Sequence, residues 1–332
     1  MYQLDDHPGL LLFFGISVLG LLLLDLGVFH KTSKPVTNRS ALIWSVLWIG
    51  LAMLFSFLIY HFAGLEKFSQ FQSAYWIEKT LSVDNLFIFI LIFNYFKLPK
   101  EFQHKALFWG ILGAIVLRAI FIFVGIGLIK LTYLPEMTIF GHDVRINVVL
   151  TIFGIFLIAA GIKSWRNKHE QEKDFGQSAP VLLMHKLFRI NDEYDKDKFF
   201  TLKNGKKYAT RFLLVVAVIE FTDLIFAIDS IPAIFAIAPN DPFILYTSNI
   251  FAILGLRSLY FLLANSVHLF DKLKYGLAII LAFIGLKMII APFYHVETTH
   301  SLLFLISVLV ASIVASLMTK SRPGPVPNDK NP

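Results

Sequence analysis

The chain is 332 residues long, 56% apolar and 16% charged, with a formal net charge of +7 and no cysteine. So apolar a balance excludes an ordinary soluble domain, and the missing thiols exclude disulfides, iron–sulfur clusters and thiolate metal sites. The positive charge is no nucleic-acid footprint, because most lysines and arginines fall in short gaps between apolar runs.

Nine stretches are apolar and long enough to cross a hydrocarbon core of about 30 Å as helix: residues 8–29, 41–63, 74–96, 106–129, 146–165, 212–238, 243–267, 275–291 and 301–318. The first follows Asp5 and Asp6 instead of a basic segment and is long enough to span, so it reads as a retained helix and not a signal peptide. Alternate gaps are basic. Lys31, Lys34 and Arg39 fill the first, Lys97, Lys100 and Lys105 the third, eleven lysines and arginines the fifth, and Lys272 and Lys274 the seventh. The even-numbered gaps hold Lys67, Lys130 and Arg145. By the positive-inside rule the N-terminus is expected outside and the C-terminus in the cytoplasm.

The fifth gap, 166–211, has structure of its own in prospect. Residues 180–190 mix Val181, Leu182, Leu183, Leu187 and Phe188 with Lys186 and Arg189, as does a helix lying on the anionic inner leaflet. Residues 199–210 carry Asn204-Gly205 between apolar stretches, a hairpin signal. The alternative for this gap is an unstructured linker. From 321 onward, four prolines in twelve residues predict a disordered tail.

Spans three to five align with spans six to eight. Glu78 and Asp84, the latter followed by Asn85, match Asp223 and Asp229, the latter followed by Ser230. Arg118 in span four matches Arg257 in span seven, and Gly161 with Lys163 match Gly285 with Lys287. Three spans per unit make the two copies enter the membrane from opposite sides. That is the inverted-topology repeat of secondary transporters, which place their site near the midplane.

The acids carry the functional argument. An ionised aspartate at a helix centre costs about 2.5–3.5 kcal/mol on insertion scales, and Asp84, Asp223 and Asp229 lie near span centres, with Glu78 and Glu220 a turn or two away. They could be paired with Arg118 and Arg257, with Lys79 in reach of Glu78, or be kept neutral by protonation. Five carboxylates against two central arginines leave a surplus, which favours a mobile cation. Asp25, near the inner end of span one, either joins the site or reaches interfacial water. Residues six apart are turned by about 120° on a helix, so neither acid pair shares one face. Either two sites lie along a path or a helix is interrupted, and Pro232 is the expected point of interruption in span six. Carboxylates, Asn85 and Ser230 are hard oxygen ligands suited to Mg, Ca or Mn. His30, His61 and His268 stand at span edges, outside the acidic spans.

Residues 76–87, 220–235 and 246–257, with 24–29 in the first span, resemble the TerC family of bacterial integral membrane proteins, in its Alx-like branch. The resemblance implies metal-ion homeostasis, with Mn²⁺ export as the leading activity; the family's names also point to tellurite resistance and redox modulation. The chain has neither a cysteine nor a flavin or haem motif, which makes direct redox chemistry unattractive.

The expected architecture is an all-α polytopic membrane protein of about nine transmembrane helices containing an inverted 3+3 helix repeat. Its parts are an N-terminal two-helix region 1–72, a first repeat 73–165, a cytoplasmic loop 166–211, a second repeat 212–291, a ninth helix 292–319 and the tail 320–332. The expected function is transport of Mn²⁺ or another hard divalent cation across a bacterial inner membrane. Glu78, Asp84, Asn85, Glu220, Asp223, Asp229, Ser230 and Asp25 are the candidate ligands, and Arg118, Arg257 and Lys79 the charge partners. Protons are the candidate counter-ion, the lipid bilayer the surroundings, and no tightly bound cofactor or nucleic-acid partner is expected. The competing reading is a stress-resistance scaffold or redox-modulator-type protein without transport of its own, recruiting cytoplasmic stress-response partners through 166–211. An enzyme is not expected, since no Ser/His/Asp set, HExxH motif or nucleotide loop occurs.

Overall fold

A computed structural model describes residues 15–16, 20, 37–139, 142–166, 175–191, 193–203, 205–239, 241–264, 273–294 and 296–318. All of the first span but residues 15, 16 and 20, including Asp25, and the tail from 319 therefore lie outside the described residues, as do the side chains of Asp84 and Asp229, whose helical backbone is described.

Helix α1 (Asn38–Tyr95) contains the second and third expected spans as two helical stretches divided by a turn at Gly64 with φ 82° and ψ −178°. Only glycine adopts that conformation without steric cost, and a Cβ there would meet nothing within 4 Å. The turn, not crowding, is why glycine stands at this point. Helix α2 (Lys100–Leu131) is followed by a hairpin of β1 (Met137–Ile139) and β2 (His142–Val144), which the sequence reading does not anticipate, and by α3 (Val148–Arg166). In the 166–211 gap, α4 (Ala179–Leu187) forms at the expected place. Beside it β4 (Phe200–Lys203) and β5 (Lys206–Thr210) make the expected hairpin, with Gly205 at φ 71° and a third strand, β3 (Ile190–Asn191), parallel to β5. The gap is not an unstructured linker over its described residues.

Helix α5 (Arg211–Phe235) starts from Thr210, whose hydroxyl accepts from the Leu213 amide at 3.3 Å. It runs through Pro232 to Phe235. The interruption expected at Pro232 instead falls in the next span, where α6 (Pro242–Leu254) and α7 (Leu256–Ala264) are separated at Gly255. Helices α8 (Leu273–Ile290) and α9 (Thr298–Met318) complete the bundle.

Among the described residues six helices are long and apolar enough to cross a membrane, α6 and α7 being counted as one. Helix α5 falls outside that set because its acids, Glu220, Asp223 and Asp229, break up every apolar window. Large apolar side chains stand exposed around the bundle, among them Phe57, Ile120, Phe123, Ile155 and Val314. Such a surface suits lipid, and helices satisfy their own backbone there. The protein is therefore a mainly helical, polytopic membrane protein.

Two large apolar cores fill the bundle, with a small third cluster of Trp48, Ile250 and Leu254 beside them. One holds Phe55, Phe71, Tyr75, Ile122, Ala227, Phe235 and Leu281, the other Leu86, Phe93, Leu107, Ala114, Phe212 and Ile219. Along α2 and α5 the change from one core to the other occurs across Arg118 and Asp223. A polar layer separates the cores.

Candidate functional site

Asp223 occupies the middle of α5, twelve residues from each end, or about 18 Å of helix either way. Neither interface water nor a snorkelling stem solves its charge at that depth. The solution is Arg118, which α2 presents from between Ala114 and Ile122. Its guanidinium, 1% exposed, forms an ion pair with Glu78 of α1, which is 0% exposed. Its Nη2 lies 3.6 Å from Oδ1 of Asp223. Nη1 also donates to Oδ1 of Asn249 on α6 at 2.9 Å, and Asn249 Nδ2 donates to Glu78 Oε2 at 3.4 Å. Ser82, one turn along α1, donates to Glu78 Oε1 at 3.1 Å. One cation and two anions thus sit in a shell drawn from four helices.

The network is not saturated. Arg118 Nε, Asp223 Oδ2 and the hydroxyl of Ser230 are buried without a hydrogen-bond partner among the described residues. Buried polar atoms of this kind are uncommon in folded proteins and call for an occupant. The carboxylate pair carries one more negative charge than the guanidinium cancels, and its free acceptors are hard oxygens.

The remaining expected residues take distinct places. Glu220, three residues before Asp223 on α5, is half-buried and lies against Gly113 of α2, where an ideal Cβ would fall 1.9 Å from its Oε2. Only the bare backbone of glycine lets that carboxylate approach. Asn85 and Ser230 are buried, one turn beyond Ser82 and within the last turns of α5. Asp84 and Asp229 neighbour them in the chain. Arg257 is buried on α7. Lys79 does not close on Glu78: its ammonium donates to the Ala252 carbonyl of α6 at 3.1 Å. Of the two matching lysines of the repeat, Lys163 is exposed near the end of α3, whereas Lys287 donates to Ser301 of α9 at 2.8 Å. Among the described residues no three Asp, Glu or His side chains are gathered tightly enough to hold a metal by themselves, because Arg118 stands between Glu78 and Asp223.

Four contributors are absent from the sequence-derived set: Ser82, Asn249, Gly113 and Gly255. Asn249 carried a usable signal, since Thr247, Ser248 and Asn249 form a polar run inside an otherwise apolar span. The two glycines carried none, because a close approach by a distant side chain leaves no local pattern.

In the 166–211 gap, Tyr194 donates to the Phe96 carbonyl at 2.8 Å, and burial raises its hydroxyl to about 12. Lys105 pairs with Asp197 at 2.6 Å. These contacts dock the β3–β5 sheet onto the ends of α1 and α2.

Residues 63–323 match the Integral membrane protein TerC family. An uncharacterized membrane protein of Myxococcus xanthus, STKORF319, is 43% identical over 320 residues, 96% of this chain and 94% of that one. The Alx protein of Escherichia coli K12, provisionally named a membrane-bound redox modulator, is 40% identical over 301 residues, 88% of this chain and 89% of its own. Its namesake in Photorhabdus laumondii is 38% identical over 313 residues, 92% of this chain and 93% of its own. No solved structure matches the chain. By the span of the family match and the identity to these relatives, the chain belongs to the TerC family of integral membrane proteins.

Proposed function

We propose that the protein transports a divalent metal cation across the bacterial cytoplasmic membrane, with Mn²⁺ export as the leading activity. The observation that carries the reading is the convergence of Glu78 and Asp223 on one guanidinium. These two acids hold matching positions in the two halves of the chain. Arg118 acts as a tethered cation that keeps the carboxylates paired while no metal is bound. An arriving ion takes over Glu78 and Asp223, with Asp223 Oδ2 as an acceptor already unengaged, and Ser230 Oγ, two turns further along α5, is a free acceptor beyond it on the path. Asp84, Asn85 and Asp229 continue the path along the same two helices, Glu220 receives the ion nearer the cytoplasmic end of α5, and Arg257 repeats the part of Arg118. Asp25 is kept as a further ligand. The donor set is hard and suits Mn, Mg or Ca. Protons are the proposed counter-ion, and neither a resident cofactor nor catalysis is part of the reading.

An inverted 3+3 repeat within nine crossings is the architecture we propose for this. It takes the turn at Gly64 as dividing α1 into two crossings, counts α5 despite its acids, and adds residues 8–29. The packing supports it, since the third span packs on α6 and α5 packs on α2, contacts that exchange under the repeat. Gly161 lies against the Ala278 carbonyl and Gly285 against the Gly154 carbonyl, with ideal Cβ atoms at 2.7 and 2.5 Å. The register that matches Gly161 with Gly285 also matches Gly154 with Ala278, so these two contacts exchange as well. The basic gaps orient the chain with its N-terminus outside and its C-terminus in the cytoplasm.

The redox name of the relatives supports a second reading, a scaffold or redox modulator without flux of its own acting through the docked sheet of 190–210. Without cysteine it has no thiol exchange to offer. Cellular Mn, Mg, Ca and Fe contents with and without the protein distinguish the two. The transport reading expects lower Mn in cells that express it, and no such effect from the Asp84→Asn, Asp229→Asn double variant. Full metal lowering by that variant refutes the proposed path.

A further inference from the structure

Lys79 is the one charge of this region that the metal path does not use. Its side chain is 6% exposed in the third span, yet it reaches no carboxylate among the described residues. The Ala252 carbonyl that receives its ammonium belongs to the last turn of α6. Carbonyls there have no amide of their own helix to accept from and form the negative end of the helix dipole. The chain is interrupted one turn on, at Gly255, and this glycine makes the room: an ideal Cβ on it would lie 2.6 Å from Nζ and 3.1 Å from Trp48 Cβ. The ring of Tyr75, 6.0 Å from Nζ to its centroid, lies to one side. A helix interruption, an outward carbonyl, an aromatic face and a backbone without a side chain make the surroundings of a small cation. Interrupted helices whose carbonyl ends coordinate a coupling ion are a recurring device of transporters.

We propose that the α6/α7 interruption is a subsite for a small monovalent cation and that the Lys79 ammonium fills it permanently, as a covalently tethered substitute for a free ion. The subsite stands apart from the Glu78–Arg118–Asp223 shell, since Lys79 and Glu78 leave α1 in different directions and engage different partners. Its occupant is held by carbonyl dipoles, without a paired carboxylate, which favours one positive charge over two. For the transport reading, on which this consequence alone rests, flux needs neither Na⁺ nor K⁺.

The experiment is a thermal melt of the purified full-length protein in detergent, at fixed ionic strength, titrating methylammonium chloride or NaCl against N-methyl-D-glucamine chloride. Wild type is expected to show no difference among the cations. Lys79→Ala is expected to melt lower in N-methyl-D-glucamine and to recover, saturably, by at least about 2 °C in methylammonium or Na⁺, because a ligand that binds only the folded state raises its melting temperature. An unresponsive Lys79→Ala, or a wild type that responds as much as the variant, overturns the proposal. Should Lys79→Ala fail to fold, Lys79→Leu decides alone. It keeps apolar bulk in the third span but is too short to reach the Ala252 carbonyl, so it is expected to gain the same cation response, and its indifference to the cations overturns the proposal. No metal flux enters either readout, so failure here leaves the transport reading standing, and failure of transport leaves the subsite standing.

Discussion

Replacing Arg118 with methionine tests the centre of the bundle. The substitution keeps a long apolar stem and deletes the guanidinium that Glu78 and Asp223 share. Unit charges 3.6 Å apart, the separation of Arg118 and Asp223, attract by about 4–5 kcal/mol at an effective dielectric near 20. Leaving a buried charge without its partner typically costs about 3–5 kcal/mol. The melting temperature in detergent should therefore fall by at least about 6 °C. Mn²⁺ should then stabilise the variant more than the wild type, because two carboxylates stand open and no tethered cation competes for them. At about a hundred times the dissociation constant, the ion restores about 2.7 kcal/mol. Adding Glu78→Gln to Arg118→Met should recover part of the loss, since the second change removes one orphaned anion. A melting temperature within about 1 °C of wild type for Arg118→Met, with no added response to Mn²⁺, refutes the reasoning.

Gly113→Val should abolish metal export while lowering stability by about 1–3 kcal/mol, since its Cβ falls on the Glu220 carboxylate; export and a melt in parallel check this. Gly285→Leu should be more severe, because its nearest backbone neighbours are the Gly154 carbonyl at 2.5 Å and the Ile158 amide at 3.0 Å, neither of which can move aside. Gly161→Leu should match it in size, which yields of folded protein and melting curves will show. At the end of the bundle near Gly64, Lys67 pairs with Asp241 at 2.5 Å, while Asp241 also accepts from the Ile244 amide at 3.0 Å as the cap of α6. Lys67→Met should therefore cost no more than about 1 kcal/mol and Asp241→Ala up to about 2 kcal/mol, an asymmetry that a melt of each variant measures.

The spans and their charged interruptions were legible because both are local. A run of twenty apolar residues announces itself, and an acid within such a run stands out whatever surrounds it. Asn204-Gly205 located the β4–β5 hairpin for the same reason, since the turn conformation is a property of those two residues. What escaped was long-range. The sequence points to Pro232 as the interruption, yet α5 carries it without ending, and the actual break, at Gly255, lies where a lysine approaches from another helix. The Arg118 pairing was anticipated in kind, but that a single guanidinium would serve an acid from each half required knowing which helices cross. Glu78 and Lys79 looked like partners in sequence. On a helix, adjacent residues point about 100° apart, and each found a different neighbour.

The most direct test of the account is ⁵⁴Mn²⁺ accumulation in everted membrane vesicles energised with a proton gradient. Vesicles with the wild-type protein should accumulate the ion above those without it, and vesicles with Glu78→Gln, Asp223→Asn should be indistinguishable from the empty ones. Equal accumulation by wild type and the double variant, or none above background by either, contradicts a metal path through the Arg118 layer.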